Sequence, residues 1–213
     1  MRVLAVSDQI VEALYSPALG EIARGVDLVL SAGDLPSGYL EYIVSTLDVP
    51  LYYVMGNHGG MGGEKPYPEG CENIDGRVVT YRGVLLAGLE GSIRYNESSQ
   101  FQYTEGEMRW KIARLTPRLM MNRLQYGRYL DICLTHAPPF GIQDGSDRAH
   151  HGFRAFLPLI DRYRPSYLIH GHQHVYDRRT VTQTIRGRTL VVNTFGYKLI
   201  DIPDGTIRST NRS

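Results

Sequence analysis

Apolar residues in this chain gather in short unbroken runs separated by polar, glycine-containing stretches. The runs at residues 3–6, 28–32 and 51–55 are continuously apolar, as strands covered on both faces should be. Further strand-like runs fall at 78–81, 84–87, 130–134, 167–169, 190–192 and 199–202. Between the first three lie helical patterns. Ser16-Pro17 offers a capping hydroxyl and a proline suited to a first turn, and Leu19, Ile22 and Ala23 supply its buried stripe. After Pro36, the residues Leu40, Ile43, Val44 and Leu47 repeat at helical spacing. Strand, helix, strand, helix, strand is the order of a parallel α/β unit.

Later in the chain, Thr104 and Glu107 have the spacing of a capping box ahead of Met108, Ile112 and Leu115, in a helix expected to stop or bend at Pro117. Phe153, Phe156, Leu157 and Ile160 trace another helical face that ends before Pro165 and should kink at Pro158. The last third reads as strands and hairpins, with a turn near residues 185–188. No internal repeat or low-complexity segment is visible. A length of 213 residues suits a single domain over residues 1–208, with a polar, frayed end at 209–213.

Composition narrows the function. A formal charge of +1 gives no broad basic field, so a dedicated nucleic-acid partner is disfavoured. No apolar run approaches the ~20 residues of a membrane span, and residues 3–6 are too short for a signal-peptide core. Two cysteines, Cys71 and Cys133, read as reduced thiols, so a cytoplasmic location without a membrane partner is expected.

The chemistry lies where the apolar runs end. Ser7-Asp8, Gly33-Asp34, Gly56-Asn57-His58, Thr135-His136 and His170-Gly171-His172-Gln173-His174 each close a run with a residue able to bind metal. In open α/β sheets, ligands lie beyond the carboxyl ends of strands, so these residues are expected to converge. Carboxylate, amide and imidazole suit Mn²⁺, Fe or Zn²⁺, and the lack of clustered cysteine argues against a thiolate site.

This ordered set closely resembles the calcineurin-like metallophosphoesterase family, over residues ~1 to 174. A nearer resemblance is to small bacterial members, through Gly91-Ser92-Ile93-Arg94-Tyr95-Asn96 and His136-Ala137-Pro138-Pro139. The resemblance implies a four-layer α/β/β/α sandwich holding two metal ions, Mn²⁺ foremost. It implies Asp34 as the bridge, Asn57, His136 and His172 on the second metal, and Asp8 and His174 on the first. Two cations ~3.5–4 Å apart would clamp a phosphate and supply hydroxide for in-line attack at phosphorus. His58 would act beside the leaving group as proton or hydrogen-bond donor.

One departure stands out. The family's first block places a metal-binding histidine two residues after its aspartate, where this chain has Ile10. The first metal should therefore bind weakly, or take water, Gln9, His150 or His151 as a replacement. Gly59 also stands where many members have an acidic residue, which weakens the support expected for His58. His170 reads as a core or supporting residue. Arg94, Arg148, His150 and His151 are candidates for substrate contact, and Tyr39, Tyr95 and Tyr103 for stacking, with ordinary packing the simpler role for each tyrosine. The expected activity is metal-dependent hydrolysis of a small phosphate ester, a diester before a monoester. A degenerate fold serving as a binding or scaffold protein is the alternative, and a nuclease a further one. The sequence leaves a homo-oligomer open.

Overall fold

The apolar runs become the central strands of two sheets in the computed structural model, which describes residues 1–58, 67–96, 100–177 and 179–203. The glycine-rich stretch 59–63 and the polar end 209–213 lie outside the described residues. The first sheet runs β13 (Gly196–Asp201), β1 (Arg2–Ser7), β2 (Leu28–Ser31), β3 (Leu51–Tyr53), β4 (Glu72–Asn73). Strands β1 to β4 are parallel, and β13 closes the edge antiparallel to β1. The second sheet runs β11 (Gln183–Arg186), β12 (Thr189–Asn193), β10 (Tyr167–His170), β9 (Ile132–Thr135), β6 (Val84–Leu89), β5 (Val78–Tyr81). Its four inner strands are parallel and its two edges antiparallel. A two-strand ribbon, β7 (Ser92–Ile93) with β8 (Gln102–Tyr103), stands apart.

Strand alternation sorts the core into three apolar layers. Leu4, Val6 and Val29 face α1 (Leu19–Ile22) and α2 (Ser37–Leu47), meeting Leu19, Leu40 and Ile43. Val3, Ala5, Leu28 and Leu30 point the other way, onto Leu86, Ile132, Leu134 and Ile169 of the second sheet. The far side of that sheet, with Ala87, Cys133, Leu168 and Val191, packs on α3 (Glu105–Tyr126) and α4 (Phe156–Tyr163). Three cores between four layers make the α/β/β/α sandwich. Each fully buried leucine here contributes roughly 1.5–3 kcal/mol over exposure.

The helices differ from expectation in instructive ways. Thr104 and Glu107 form both bonds of the capping box, yet α3 continues through Pro117 for 22 residues. Ala113, whose carbonyl loses its donor to the proline ring, is exposed, so water can replace that donor. Pro158 does not kink α4, because it sits in the first turn, where no intrahelical donor is needed. Phe153 lies outside that helix, pairing with Pro139 in an isolated bridge. Near the N-terminus, α1 is a single turn entered from Ala18, whose N–H donates to Ser16 Oγ at 3.3 Å. The hairpin β11–β12 turns at Gly187-Arg188, with Gly187 at φ 60°. The short strands β4, β7 and β8 carry no apolar run and gave no sign in the sequence pattern, and β11 was signalled only by the turn expected near residues 185–188, whose first two residues it takes into the strand.

Candidate metal centre

The carboxyl ends of β1, β2, β9 and β10, with the segment following β3, meet at one rim of the two sheets. Asp8, Asp34 and His172 all adopt left-handed backbone, at φ 61°, 55° and 66°. Such a conformation is strained for a residue with a Cβ and persists where the surroundings enforce it. Two glycines make room. A Cβ on Gly56 would collide with the Asp34 carboxylate, and one on Gly171 with the Asp8 carboxylate and Ser7. Glycine at those positions lets backbone and ligand side chains occupy one crowded rim.

His136 Nε2 is the focus of the cluster. It lies 3.0 Å from Asn57 Oδ1, 3.1 Å from His172 Nδ1 and 3.3 Å from Asp34 Oδ2. The ligand atoms of Asp34, His136 and His172 all fall within 4.8 Å of one another. A single ring N–H can satisfy one such acceptor, not three. Atoms held about 2.0–2.2 Å from a shared cation sit about 3.0–3.5 Å from each other, so the spacing and donor types fit a metal ion.

What turns these atoms inward is the partner on each far side. His136 Nδ1 donates to the Ala32 carbonyl at 2.7 Å, leaving Nε2 toward the cluster. His172 Nε2 donates to the Ala149 carbonyl at 2.8 Å, leaving Nδ1 inward. Asn57 Nδ2 donates to the Tyr95 hydroxyl at 3.2 Å, which points Oδ1 at His136. The His58 N–H donates to Asp34 Oδ1 at 3.0 Å. Fixing the outer nitrogen in this way sets the ring and amide orientations that metal ligands need.

The electrostatics follow. Burial alone would raise the Asp34 carboxyl, but the His136 charge and hydrogen bond, with the His58 N–H, hold it down at about 2. Burial likewise works against charge on His136, and the Asp34 carboxylate overcomes it, lifting the imidazole to about 9. His172 is pushed down to about 3 by burial and by neighbouring His136. Burial also raises the Asp8 carboxyl. A metal-free centre thus keeps His136 protonated on Nε2 as well as Nδ1, beside an ionised Asp34.

Other predicted residues are placed differently. Asp8 is at the rim, both its oxygens accepting the His172 N–H at 3.0 and 2.9 Å. The His174 side chain is not brought to it. That residue is exposed, its ring 5.0 Å from Phe195 and its Nδ1 3.1 Å from the Tyr176 hydroxyl. Ile10 is 43% exposed and offers no ligand. His58 is exposed at the mouth, next to Asp34. His150 stands 5.2 Å ring to ring from His172, with Nδ1 held by Asp147 at 2.8 Å. His151 instead meets the Ser146 carbonyl at 2.9 Å, and Arg148 is exposed on the neighbouring 3-10 turn. Arg94 is occupied, its guanidinium bound to Glu107 at 2.9 and 3.0 Å and to the Gln102 carbonyl at 3.2 Å. His170 is fully buried, bonded to Gln143 at 2.9 Å and lowered to about 4 by burial.

Tyr95 has a part that its sequence position did not suggest: its hydroxyl orients Asn57. Tyr39 is core, and Tyr103 donates to Glu90 at 2.5 Å. Both cysteines are free thiols, and among the described residues no helix is long and apolar enough to cross a membrane.

Comparison with known proteins places this geometry. The family model for calcineurin-like phosphoesterases matches residues 1–176. A search of curated proteins gave no significant sequence match. Among solved structures, TT1561 of Thermus thermophilus aligns over 94% of this chain and 93% of its own, with a TM-score of 0.62 at 18% identity. GAP50, the anchor in the inner membrane complex of Plasmodium, aligns over 91% of this chain and 70% of its own, with a TM-score of 0.52 at 13% identity. At these identities the likeness is one of fold.

Proposed function

Because this chain belongs to the calcineurin-like phosphoesterase family, whose members are metal-dependent phosphoesterases, we propose that it hydrolyses a small phosphate ester, a diester before a monoester. The observation that carries this reading is the orientation of Asn57, His136 and His172. Each has its outer nitrogen committed to a fixed partner, and the inner atoms of Asn57 and His172 meet at His136 Nε2, itself 3.3 Å from Asp34 Oδ2. When bound, Mn²⁺, Fe or Zn²⁺ would polarise a phosphoryl oxygen and make water a stronger nucleophile. Asp34, Asn57, His136 and His172 would hold that ion. The His58 imidazole, exposed beside Asp34, would donate a proton or hydrogen bond to the departing oxygen.

Charge favours the diester. Two carboxylates, Asp8 and Asp34, already stand at this rim, and a diester brings one negative charge where a monoester brings nearly two. Asp8, whose carboxylate clasps the His172 N–H, positions the loop and would hold a second cation together with Asp34.

The test is hydrolysis of an aryl phosphodiester by metal-stripped protein titrated with Mn²⁺, beside Asn57→Ala prepared identically. Turnover that rises with metal and vanishes in the variant supports the reading. Absence of turnover with Mn²⁺, Fe²⁺ and Zn²⁺ would defeat it. One observation favours a second reading, a binding or scaffold protein: with Ile10 apolar and His174 exposed against Tyr176, the Asp8 side of the rim gains no imidazole from either position. Metal binding without turnover on any phosphoester would select that reading, and cleavage of DNA or RNA would select a nuclease.

A further inference from the structure

The strands that deliver His136 and His172 to one rim carry arginines at their other ends. Arg128 precedes β9, Arg164 precedes β10 and Arg188 precedes β12. With Arg123 from the last turn of α3 and Arg162 from the last turn of α4, they line a cavity of about 690 Å³. That volume falls inside the range of about 300–1,000 Å³ typical of small-molecule sites. Strand β9 spans four residues, so the cavity is separated from the candidate metal centre by at least about 13 Å of strand.

Charge decides between a binding site and ordinary helix-end decoration. Basic residues at helix C-termini complement a partial charge of roughly −0.5 per helix. Asp131, the acid lining this cavity, is buried and already accepts from Leu85 N at 2.9 Å and from Arg128 Nε at 2.7 Å. Two helix ends and one carboxylate amount to about −2 against five guanidinium groups, leaving roughly +3 uncompensated. Nearby Asp161 is taken by Arg186 at 2.7 Å. The chain as a whole carries only +1, so this excess is a local concentration.

The partners point the same way. Arg162 lies over the Tyr163 ring at 5.3 Å but has no ion pair among the described residues, and Arg188 has neither hydrogen bond nor ion pair among them. Arg128 Nη1 is buried with no hydrogen-bond partner, an arrangement that costs free energy until an acceptor arrives. Guanidinium groups bind phosphate oxygens through paired donors, and several converging from different elements suit an anion with several phosphoryl groups. A monoanion would leave most of this charge unmatched. We infer that this cavity is a second ligand site, for a small polyphosphorylated anion of the di- or triphosphate class, separate from the candidate metal centre.

Calorimetric titration of metal-free protein with inorganic tripolyphosphate, at low salt, tests the site. Three proteins are compared: the parent chain, Arg162→Gln/Arg188→Gln, and the control Arg109→Gln/Arg118→Gln on the exposed face of α3. All four arginines are exposed, so both variants should keep the parent melting temperature. Saturable binding is expected in the parent and in the control, with affinity about tenfold or more lower in the Arg162/Arg188 variant through loss of charge-assisted contacts. No binding by the parent would overturn the inference. So would equal binding by the Arg162/Arg188 variant, which would put the anion elsewhere, or equal weakening in the control, which would reduce it to general charge attraction.

Discussion

Asp34, Asn57, His136 and His172 on one side, and Asp8, Ile10 and His174 on the other, follow the carboxyl ends of parallel strands in the same sandwich. The first group is assembled: its inner atoms lie 3.0–3.3 Å from His136 Nε2, and its outer atoms are tied to Ala32, Tyr95 and Ala149. The second has a carboxylate at the rim, an apolar side chain where a ligand would stand, and an imidazole in contact with Phe195 and Tyr176. Delivery to a strand end is therefore insufficient to make a ligand. The side chain must also be held so that its free atom faces the shared focus, as Asn57, His136 and His172 are held from behind, whereas His174 is held against Tyr176 and Phe195.

The sharpest way to break the contrast is Asn57→Ala. Removing Oδ1 takes one atom from the assembled half and deletes no core packing, so turnover should fall by about 10³-fold or more, in line with losing a group that acts on developing charge. Melting temperature in the metal-stripped state should move little. A variant with more than about a tenth of the parent rate would show that this half does not carry the reaction.

Acidity should separate the halves next. His136 has a folded pKa of about 9 against an ordinary 6.5, so its proton stabilises the metal-free fold fully below 6.5, and that contribution is lost as pH rises through about 9. A cation at His136 Nε2 must displace the same proton. Mn²⁺ affinity should therefore rise about tenfold per pH unit between 6.5 and 9, then level off, with the metal-induced rise in melting temperature growing over the same window. A flat profile would mean that His136 is neutral in the metal-free protein.

Support from behind is tested by Tyr95→Phe. The substitution keeps the ring and removes the hydroxyl that receives Asn57 Nδ2, freeing the amide to turn. Metal affinity should drop by about 10–100-fold while the fold persists. Unchanged affinity would show that Asn57 is oriented without Tyr95.

These partners mark the limit of what the chain reveals as text. Continuous apolar runs announced the central strands because both faces are covered, and glycine-punctuated polar residues at their ends announced the rim. The outer partners did not show. Ala32 and Ala149 act through backbone carbonyls, which have no residue signature, and Tyr95 is one tyrosine among 15. Arg94 illustrates the converse: an arginine in a suggestive motif is spent on Glu107 of the α3 capping box. Pro117 misled because the cost of a helical proline depends on whether the orphaned carbonyl is wet, which only burial reveals.

The smallest expected effect is the most informative about the incomplete half. Ile10→His supplies the imidazole that the family's first block contains, at an exposed position where the exchange should cost little stability. If a missing ligand were the whole deficiency, the variant would bind a second equivalent of Mn²⁺ tightly. His174, however, faces Phe195 and Tyr176, so the new histidine would join only Asp8 and Asp34. The expected result is a second equivalent that binds weakly and is removed first on dialysis. Adding Phe195→Ala should release the His174 ring and tighten that second equivalent by about tenfold, the scale on which supporting contacts act. Tight binding in Ile10→His alone would show that His174 swings inward without help, and that one residue separates the two halves.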